Sequence, residues 1–310
     1  MSQLESITGE GPVLGFAEPK KGARGNPWEW GLIGVTAVWG WTFVTVHDAI
    51  ALIPVSAFIA YRFTAAAIVM ALALAPTLRQ VTRRELLGGV AAGSVLFAAY
   101  GFQTVGLGAT TPSNAGFLTG LSVVFTPLLA FVLLRMRPLR QQLFGAALAA
   151  IGLALLTMRG LEVHIGDALV LCCAVLFALH ILILSRVSPG AHPGRLTLVQ
   201  LATVGVLGLC WAGASHELVL PASAQVWSAL AITAFVASSL AFFVQTKAQA
   251  TTPPNRIALI LTMEPVFGGI FGYWLSGDRL TRLNLLGAAL ILIATVVTEL
   301  KWRPKFRGSG

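Results

Sequence analysis

The residues with the strongest chemical character in this chain of 310 residues are a few polar groups set in apolar surroundings. Arg62 stands in Phe58-Ile59-Ala60-Tyr61-Arg62-Phe63, Glu264 in Leu261-Thr262-Met263-Glu264-Pro265, and His180 in Phe177-Ala178-Leu179-His180-Ile181. A guanidinium offers a planar fork of donors that meets a carboxylate at two points, so Arg62 could recognise an anionic solute. Glu264, an acid well inside an apolar run, could carry a coupling proton, and His180 could hydrogen-bond a solute. Covalent and metal chemistry find no footing. The chain has no G-x-S-x-G or H-E-x-x-H pattern and no G-x-x-x-x-G-K-[ST] phosphate loop. Cys172, Cys173 and Cys210 lack metal-ligand spacing and read as packing residues. No enzyme, metal, cofactor or ATPase domain is expected.

Such groups need a scaffold, and composition identifies its solvent. With 56% hydrophobic and 11% charged residues and a mean hydropathy of +0.81, the chain is too apolar for a soluble domain, where about 25% would be charged. Ten apolar runs approach the roughly 20 residues that cross a hydrocarbon core. They span Trp28–Val46, Ile53–Ala75, Leu86–Val105, Ala115–Leu134, Gln141–Met158, Ile165–Leu184, Leu196–Ala214, Val226–Gln245, Ile257–Leu275 and Leu283–Thr298. Backbone groups in lipid must be satisfied internally, which predicts helices; the alternating ten-residue segments of a barrel are absent.

The runs fall into two copies of one unit. Thr110-Thr111-Pro112-Ser113-Asn114 is answered in the second half by Thr251-Thr252-Pro253-Pro254-Asn255, at an offset of 141. Gly145-Ala146-Ala147-Leu148 is answered by Gly287-Ala288-Ala289-Leu290 at 142, Gln103-Thr104 by Gln245-Thr246 at 142, and Trp39-Gly40 by Phe177-Ala178 at 138. This predicts a polar tail over 1–27, a first five-helix repeat over 28–158, a second over 159–300 and a basic tail over 301–310. Five crossings per unit leave the second unit upside down. The fold class is therefore an all-α integral membrane protein of ten transmembrane helices, arranged as two inverted five-helix repeats around a central cavity.

Charge orients it. With the amino terminus inside, the inner segments hold Lys20, Lys21, Arg24, Arg79, Arg83, Arg84, Arg135, Arg137, Arg140, Arg186, Arg195, Lys247, Arg256, Lys301, Arg303, Lys305 and Arg307, whereas the outer ones hold Arg159, Arg279 and Arg282. Both termini are expected in the cytoplasm, with the composition pointing to a bacterial inner membrane. The net charge of +9 is thus topology, with membrane lipid and no nucleic acid as partner.

Inverted repeats place a solute site near the midplane at their interface and expose it alternately to the two sides. At about 1.5 Å per residue, Trp39 lies about 16 Å into a core of roughly 30 Å, and Arg62 about 14 Å from the outer face. Helical spacing picks out the faces that could line a cavity. They carry Trp39, Thr42 and Phe43; Phe58 and Arg62; Ser94, Phe97, Tyr100 and Gln103; Thr119, Ser122 and Thr126; Phe177 and His180; Ser238, Phe242 and Gln245; and Glu264 and Gly268. Ordinary packing would produce similar stripes. The candidate solute contacts are Trp39, Thr42, Phe43, Arg62, Tyr100, Gln103, Thr119, Phe177, His180, Phe242 and Gln245, with Glu264 the coupling candidate. Pro127 and Pro265 are hinge candidates, and Gln103 and Gln245 fall toward opposite ends, where gates would be. Gly89 with Gly93 and Gly268 with Gly272 suit close helix packing inside one chain, so a monomer is expected.

Several of these residues also carry a resemblance. Trp39-Gly40-Trp41-Thr42-Phe43, Tyr61-Arg62-Phe63, Glu264-Pro265-Val266-Phe267, Gly277-Asp278 and Gly287-Ala288-Ala289-Leu290, in this order and duplicated, resemble the ten-helix EamA branch of the drug/metabolite transporter superfamily. The family pattern usually has Glu at Asp278, and an acidic residue where this chain has Arg135-Met136-Arg137. The resemblance implies an inverted-repeat bundle with a central cavity and export of small metabolites such as amino acids. Two other readings stay open: a drug or nucleotide-sugar exporter, told apart by which solutes compete for saturable uptake, and a lipid scramblase or channel, told apart by lipid-selective or unsaturable flux.

The charge asymmetry yields a direct test of topology. Single cysteines placed at Glu5 and Lys305 are expected to stay protected from a membrane-impermeant thiol reagent in intact cells; labelling of either defeats the orientation.

Overall fold

In the computed structural model, which describes residues 27–135, 140–157, 165–277, 279 and 281–299, each of the ten apolar runs is helical. Both tails, Arg137, Arg159 and Asp278 lie outside the described residues. The helices are α1 (Pro27–Ile50), α2 (Val55–Ala73), α3 (Arg83–Leu107), α4 (Pro112–Gly120), α5 (Ser122–Leu134), α6 (Arg140–Thr157), α7 (Ile165–Val187), α8 (Pro193–Ala214), α9 (Ala224–Ala234), α10 (Ala241–Gln249), α11 (Pro254–Leu261), α12 (Met263–Leu275) and α13 (Arg282–Glu299). A 3₁₀ turn, Ala75–Gln80, follows α2, and a π-helical segment, Phe235–Leu240, joins α9 to α10. Among the described residues, seven spans are long and apolar enough to cross a membrane, and α6 and α13 carry shorter apolar stretches. The 24-residue α1 has the length, but Glu29, Thr36, Thr42, Thr45, His47 and Asp48 make it less apolar.

The molecule is apolar outside as well as inside. Leu72, Val132, Phe144 and Trp274 are among many large apolar side chains more than half exposed, as lipid requires and water would penalise. Polar side chains turn inward instead, with Thr36, Ser56, Gln200, Thr233 and Thr246 fully buried.

The duplicated Thr-Thr-Pro motif has a local cause. The Thr111 hydroxyl accepts from the Asn114 amide and Pro112 opens α4, where a missing N–H costs nothing. In the second copy the chain starts α11 at Pro254, while the Thr252 hydroxyl is drawn away to donate to Glu29 at 3.0 Å. Beyond each motif the span breaks once, at Leu121 (φ −63, ψ −11) and at Thr262 (φ −68, ψ −10), two positions that share the offset of the motifs themselves.

The breaks match more closely than the prolines expected to mark them, Pro127 and Pro265, whose spacing falls short of that offset. Pro265 sits in the first turn of α12, where no donor is needed, and Pro127 lies inside α5, where its ring crowds the carbonyl of the preceding turn.

Close helix crossings rest on small residues. A Cβ on Gly40 would come within 2.6 Å of the Phe267 Cβ and 2.7 Å of the Gly268 nitrogen, so α1 lies directly on α12. Gly116 of α4 stands 3.6 Å, by the same measure, from the Gly268 Cα, which brings three helices to one crossing. Gly89 and Gly93 meet Val199, Gln200 and Thr203 of α8, within the same chain. The side of the bundle that carries the start of α1 is tied by Glu29, which accepts from Arg256 at 2.9 Å, and by Lys247, which stands over the Trp28 ring.

Gly40→Ala is expected to lower the melting temperature of the purified protein by several degrees, since it drives a methyl into the backbone of α12 at about 1–3 kcal/mol. Gly34→Ala, on the same helix with no neighbour within 4 Å, should leave it unchanged or slightly higher. Equal effects of the two substitutions would show that the crossing is slack.

Candidate functional site

The breaks at Leu121 and Thr262 flank a central cavity. Its wall is made by Trp39, Thr42, Phe43 and Val46 of α1, Arg62 of α2, Tyr100, Gln103, Thr104 and Leu107 of α3, Thr119 of α4, Ser122 of α5, Phe177, His180 and Ile181 of α7, Phe242 and Gln245 of α10, Leu261 of α11 and Glu264 of α12. The eleven candidate contacts and Glu264 all stand on this one wall, the gate candidates Gln103 and Gln245 among them.

Pseudo-symmetry organises the wall. At an offset of 138, Trp39, Thr42 and Phe43 correspond to Phe177, His180 and Ile181. At 142, Tyr100, Gln103, Thr119 and Ser122 correspond to Phe242, Gln245, Leu261 and Glu264. Fourteen of the eighteen lining residues thus form seven pairs, one from each half. Arg62 stands outside this pattern, because α8, the counterpart of α2, contributes nothing to the wall.

Arg62 is 3% exposed, and among the described residues no carboxylate lies within ion-pair distance of it. Its Nε donates to the Ser238 hydroxyl at 2.9 Å and its Nη2 to the Tyr100 hydroxyl at 3.5 Å. The guanidinium carbon stands 4.8 Å from the Tyr100 ring centre and 4.9 Å from that of Phe63, where ring faces offer partial negative charge. Five N–H donors against these few acceptors leave capacity directed at the cavity.

The π segment delivers Ser238. Its wider turn frees backbone groups for side-chain partners, a common use of such bulges at functional sites. Trp39 Nε1 donates to the Ala237 carbonyl at 2.7 Å, while the Ser239 hydroxyl reaches the carbonyls of Ala234 and Ala66 at 2.8 and 3.1 Å. Trp39 also meets Phe242 at 5.4 Å between ring centres, and Tyr100 packs edge-on to Phe177 at 5.5 Å, so the apolar wall is a cage of interlocked rings.

The other polar groups differ in how fully they are satisfied. Gln103 Nε2 donates to Thr119 Oγ1 at 3.1 Å, and the Thr42 hydroxyl to its own helix at the Trp39 carbonyl. His180 pairs with Gln200 at 3.0 Å, and Gln200 in turn donates to Thr246, a buried chain linking α7, α8 and α10. Glu264, half-buried in the first turn of α12, has no hydrogen bond or ion pair to its carboxylate among the described residues. The Gln245 Oε1 is buried without a donor.

Helical spacing overreached at the edges of its stripes. Phe97 turns to Trp211 at 6.1 Å, Phe58 is buried in the apolar cluster behind Phe43, Val46 and Leu107, Thr126 bonds the Ser122 carbonyl, and Gly268 is used by the helix crossing. Sequence reading missed Val46, Thr104, Leu107, Ile181 and Leu261. For Ile181 and Leu261 a signal existed, since they answer Phe43 and Thr119 at the repeat offsets; Val46, Thr104 and Leu107 look like any membrane-helix residue.

Trp39→Phe keeps a ring but removes the bond to the π segment, and is expected to cost about 1 kcal/mol. The purified protein should melt a few degrees lower; an unchanged melting temperature would mean that the indole does not support the segment.

The helices, their breaks and the central cavity can be set beside known proteins. The EamA-like transporter family model matches the chain twice, over residues 26–158 and 164–300. A protein of Archaeoglobus fulgidus named "Uncharacterized transporter" is 31% identical over 271 residues, covering 87% of this chain and 85% of the relative. The "Uncharacterized transporter YyaM" of Bacillus subtilis is 24% identical over 284 residues, covering 86% and 92%. A solved crystal structure shares the fold with a TM-score of 0.69 at 17% identity, over 87% of this chain and 96% of that one. With both halves matched by one family model and most of the chain aligned to named transporters, this multi-pass membrane protein belongs to the EamA-like transporter family.

Proposed function

We propose that the protein exports small amphipathic metabolites, foremost aromatic and other apolar amino acids, by alternating access. The observation that carries this reading is Arg62: a buried cation without a counter-ion among the described residues, at the wall of an aromatic cavity. Charges inside a membrane are expensive and usually face a functional cavity. A solute carboxylate completes the guanidinium's bonding, and the rings of Trp39, Tyr100, Phe177 and Phe242 take up an apolar side chain.

In this scheme the five-helix halves, residues 28–158 and 159–300, rock about the midplane site, with both termini in the cytoplasm of a bacterial cell. The matched interruptions of α4–α5 and α11–α12, near Pro127 and Pro265, are where the halves would flex. Glu264 is the group on which a coupling proton would ride. A neutral or cationic drug offers Arg62 no anion, so the residue tells against such a cargo; the diphosphate of a nucleotide sugar also fits the fork, and competition in the solute panel separates it from amino acids.

The test is reconstitution into liposomes with a solute panel, with and without a proton gradient. Free amino acids should compete better than their amides, by roughly 10- to 150-fold for a lost charge-assisted bond of about 1.5–3 kcal/mol. Arg62→Lys keeps the charge without the fork and should bind worse than the parent, and Arg62→Ala should erase the preference for the free acid. An Arg62→Ala protein that folds and transports amino acids at parental affinity would make the residue structural.

A further inference from the structure

We propose that Gln245 and Glu264 form a subsite for a protonated amine, so that the cavity is built for a zwitterion rather than for any apolar carboxylate. The inference rests on the carboxylate role of Arg62 and adds the other half of the solute.

It starts from the places where the two halves disagree. Gln103 and Gln245 occupy equivalent positions on the wall, one in each repeat. In the first half Gln103 is held by the Thr119 hydroxyl at 3.1 Å. The position equivalent to Thr119 is Leu261, which offers no hydrogen bond, and the Gln245 Oε1 is left buried with no donor. The position equivalent to Ser122 is Glu264, whose carboxylate likewise has no partner among the described residues. A hydroxyl pair in one half is thus replaced by a leucine and an acid in the other. The result is a local excess of unsatisfied acceptors, a state that natural interiors avoid unless something supplies the donors.

The missing donor should be cationic and carry several N–H groups. An ammonium group has three, enough to meet a carboxylate oxygen and an amide oxygen at once. The Gln245 amide can turn about its last torsion, which exchanges oxygen for nitrogen and carries the oxygen to the cavity.

Position supports one solute meeting both poles. Ser238, which anchors Arg62, and Gln245 lie on one continuous helical span, about 10 Å apart along its axis. Helical side chains lean toward the amino-terminal end of their helix, the direction in which Ser238 lies from Gln245, which shortens the gap a zwitterion has to span. The first half presents the hydroxyls of Thr119 and Ser122 across the cavity, so the acceptor pole belongs to the second half.

The experiment measures binding of phenylalanine, 3-phenylpropionate and 2-phenylethylamine to the full-length purified protein and to Gln245→Leu and Glu264→Gln, with sodium present and absent. In the parent, phenylalanine should bind about 10- to 100-fold tighter than 3-phenylpropionate. Each variant should shrink that ratio toward one while leaving 3-phenylpropionate affinity within about threefold. Gln245→Leu copies the apolar character of Leu261 and removes a buried orphan, so it should fold at least as well as the parent. Equal parental affinities for phenylalanine and 3-phenylpropionate, or a ratio unmoved in both variants, overturns the amine subsite while the carboxylate reading stands. Tight 2-phenylethylamine binding with none of the acid overturns the Arg62 role and keeps the amine subsite. Sodium dependence that Gln245→Leu abolishes would assign the acceptors to an inorganic cation and overturn the proposal, and binding of none of the three probes would overturn both readings.

Discussion

Burying one guanidinium near the middle of a lipid-bounded bundle is the constraint from which most of the site follows. On insertion scales a central arginine costs about 2.5–3.5 kcal/mol, and more than 10 in simulations of an isolated helix. No carboxylate among the described residues offsets that cost at Arg62. The bundle instead assembles weaker supports: a serine hydroxyl, a tyrosine hydroxyl and two ring faces. Each support makes a demand of its own. Ser238 reaches the guanidinium from a π segment, and that segment is braced by the Trp39 indole and by Ser239 bonds to two helices.

Replacing such a web with an Arg–Glu pair would neutralise the cation and leave it little affinity for anything else. Hydroxyls and rings hold the guanidinium in place without cancelling its charge. The fork therefore keeps its orientation while remaining able to bind an anion, which is the preorganisation a selective transporter needs. On the wall itself, Gln103, Thr119 and His180 are bonded to protein partners, whereas Glu264 and the Gln245 oxygen are not.

Symmetry supplies the geometry and its violations supply the chemistry. Seven pairs of equivalent residues build the wall, chiefly rings and small polar groups that would suit many solutes. Arg62 has no partner across the pseudo-axis, and Thr119 and Ser122 face Leu261 and Glu264 in the other half. A symmetric cavity has no preferred end for an anion. In the proposed reading the departures give it a cationic pole and an acceptor pole, and so a direction. Glycine crossings such as Gly40 on α12 fix these poles, since close backbone approach leaves little room for sliding.

The amino-acid sequence by itself determined the membrane, the helices, the duplication and most of the residues of the wall. Lipid forces every apolar run of about 20 residues into a helix, so composition alone fixes the secondary structure. The eleven candidate contacts meet on one wall because helical spacing and midplane depth are local properties that the fold does not rewrite. Bonding partners are another matter. That Arg62 finds Ser238 in the other half of the chain, that Trp39 braces a π segment, and that Gln103 is satisfied while Gln245 is not were decided by tertiary structure. So were the interruptions at Leu121 and Thr262, which neither proline marks. A hydrogen bond between helices depends on rotation and register to within about an ångström, and a one-dimensional pattern carries only spacing along each helix.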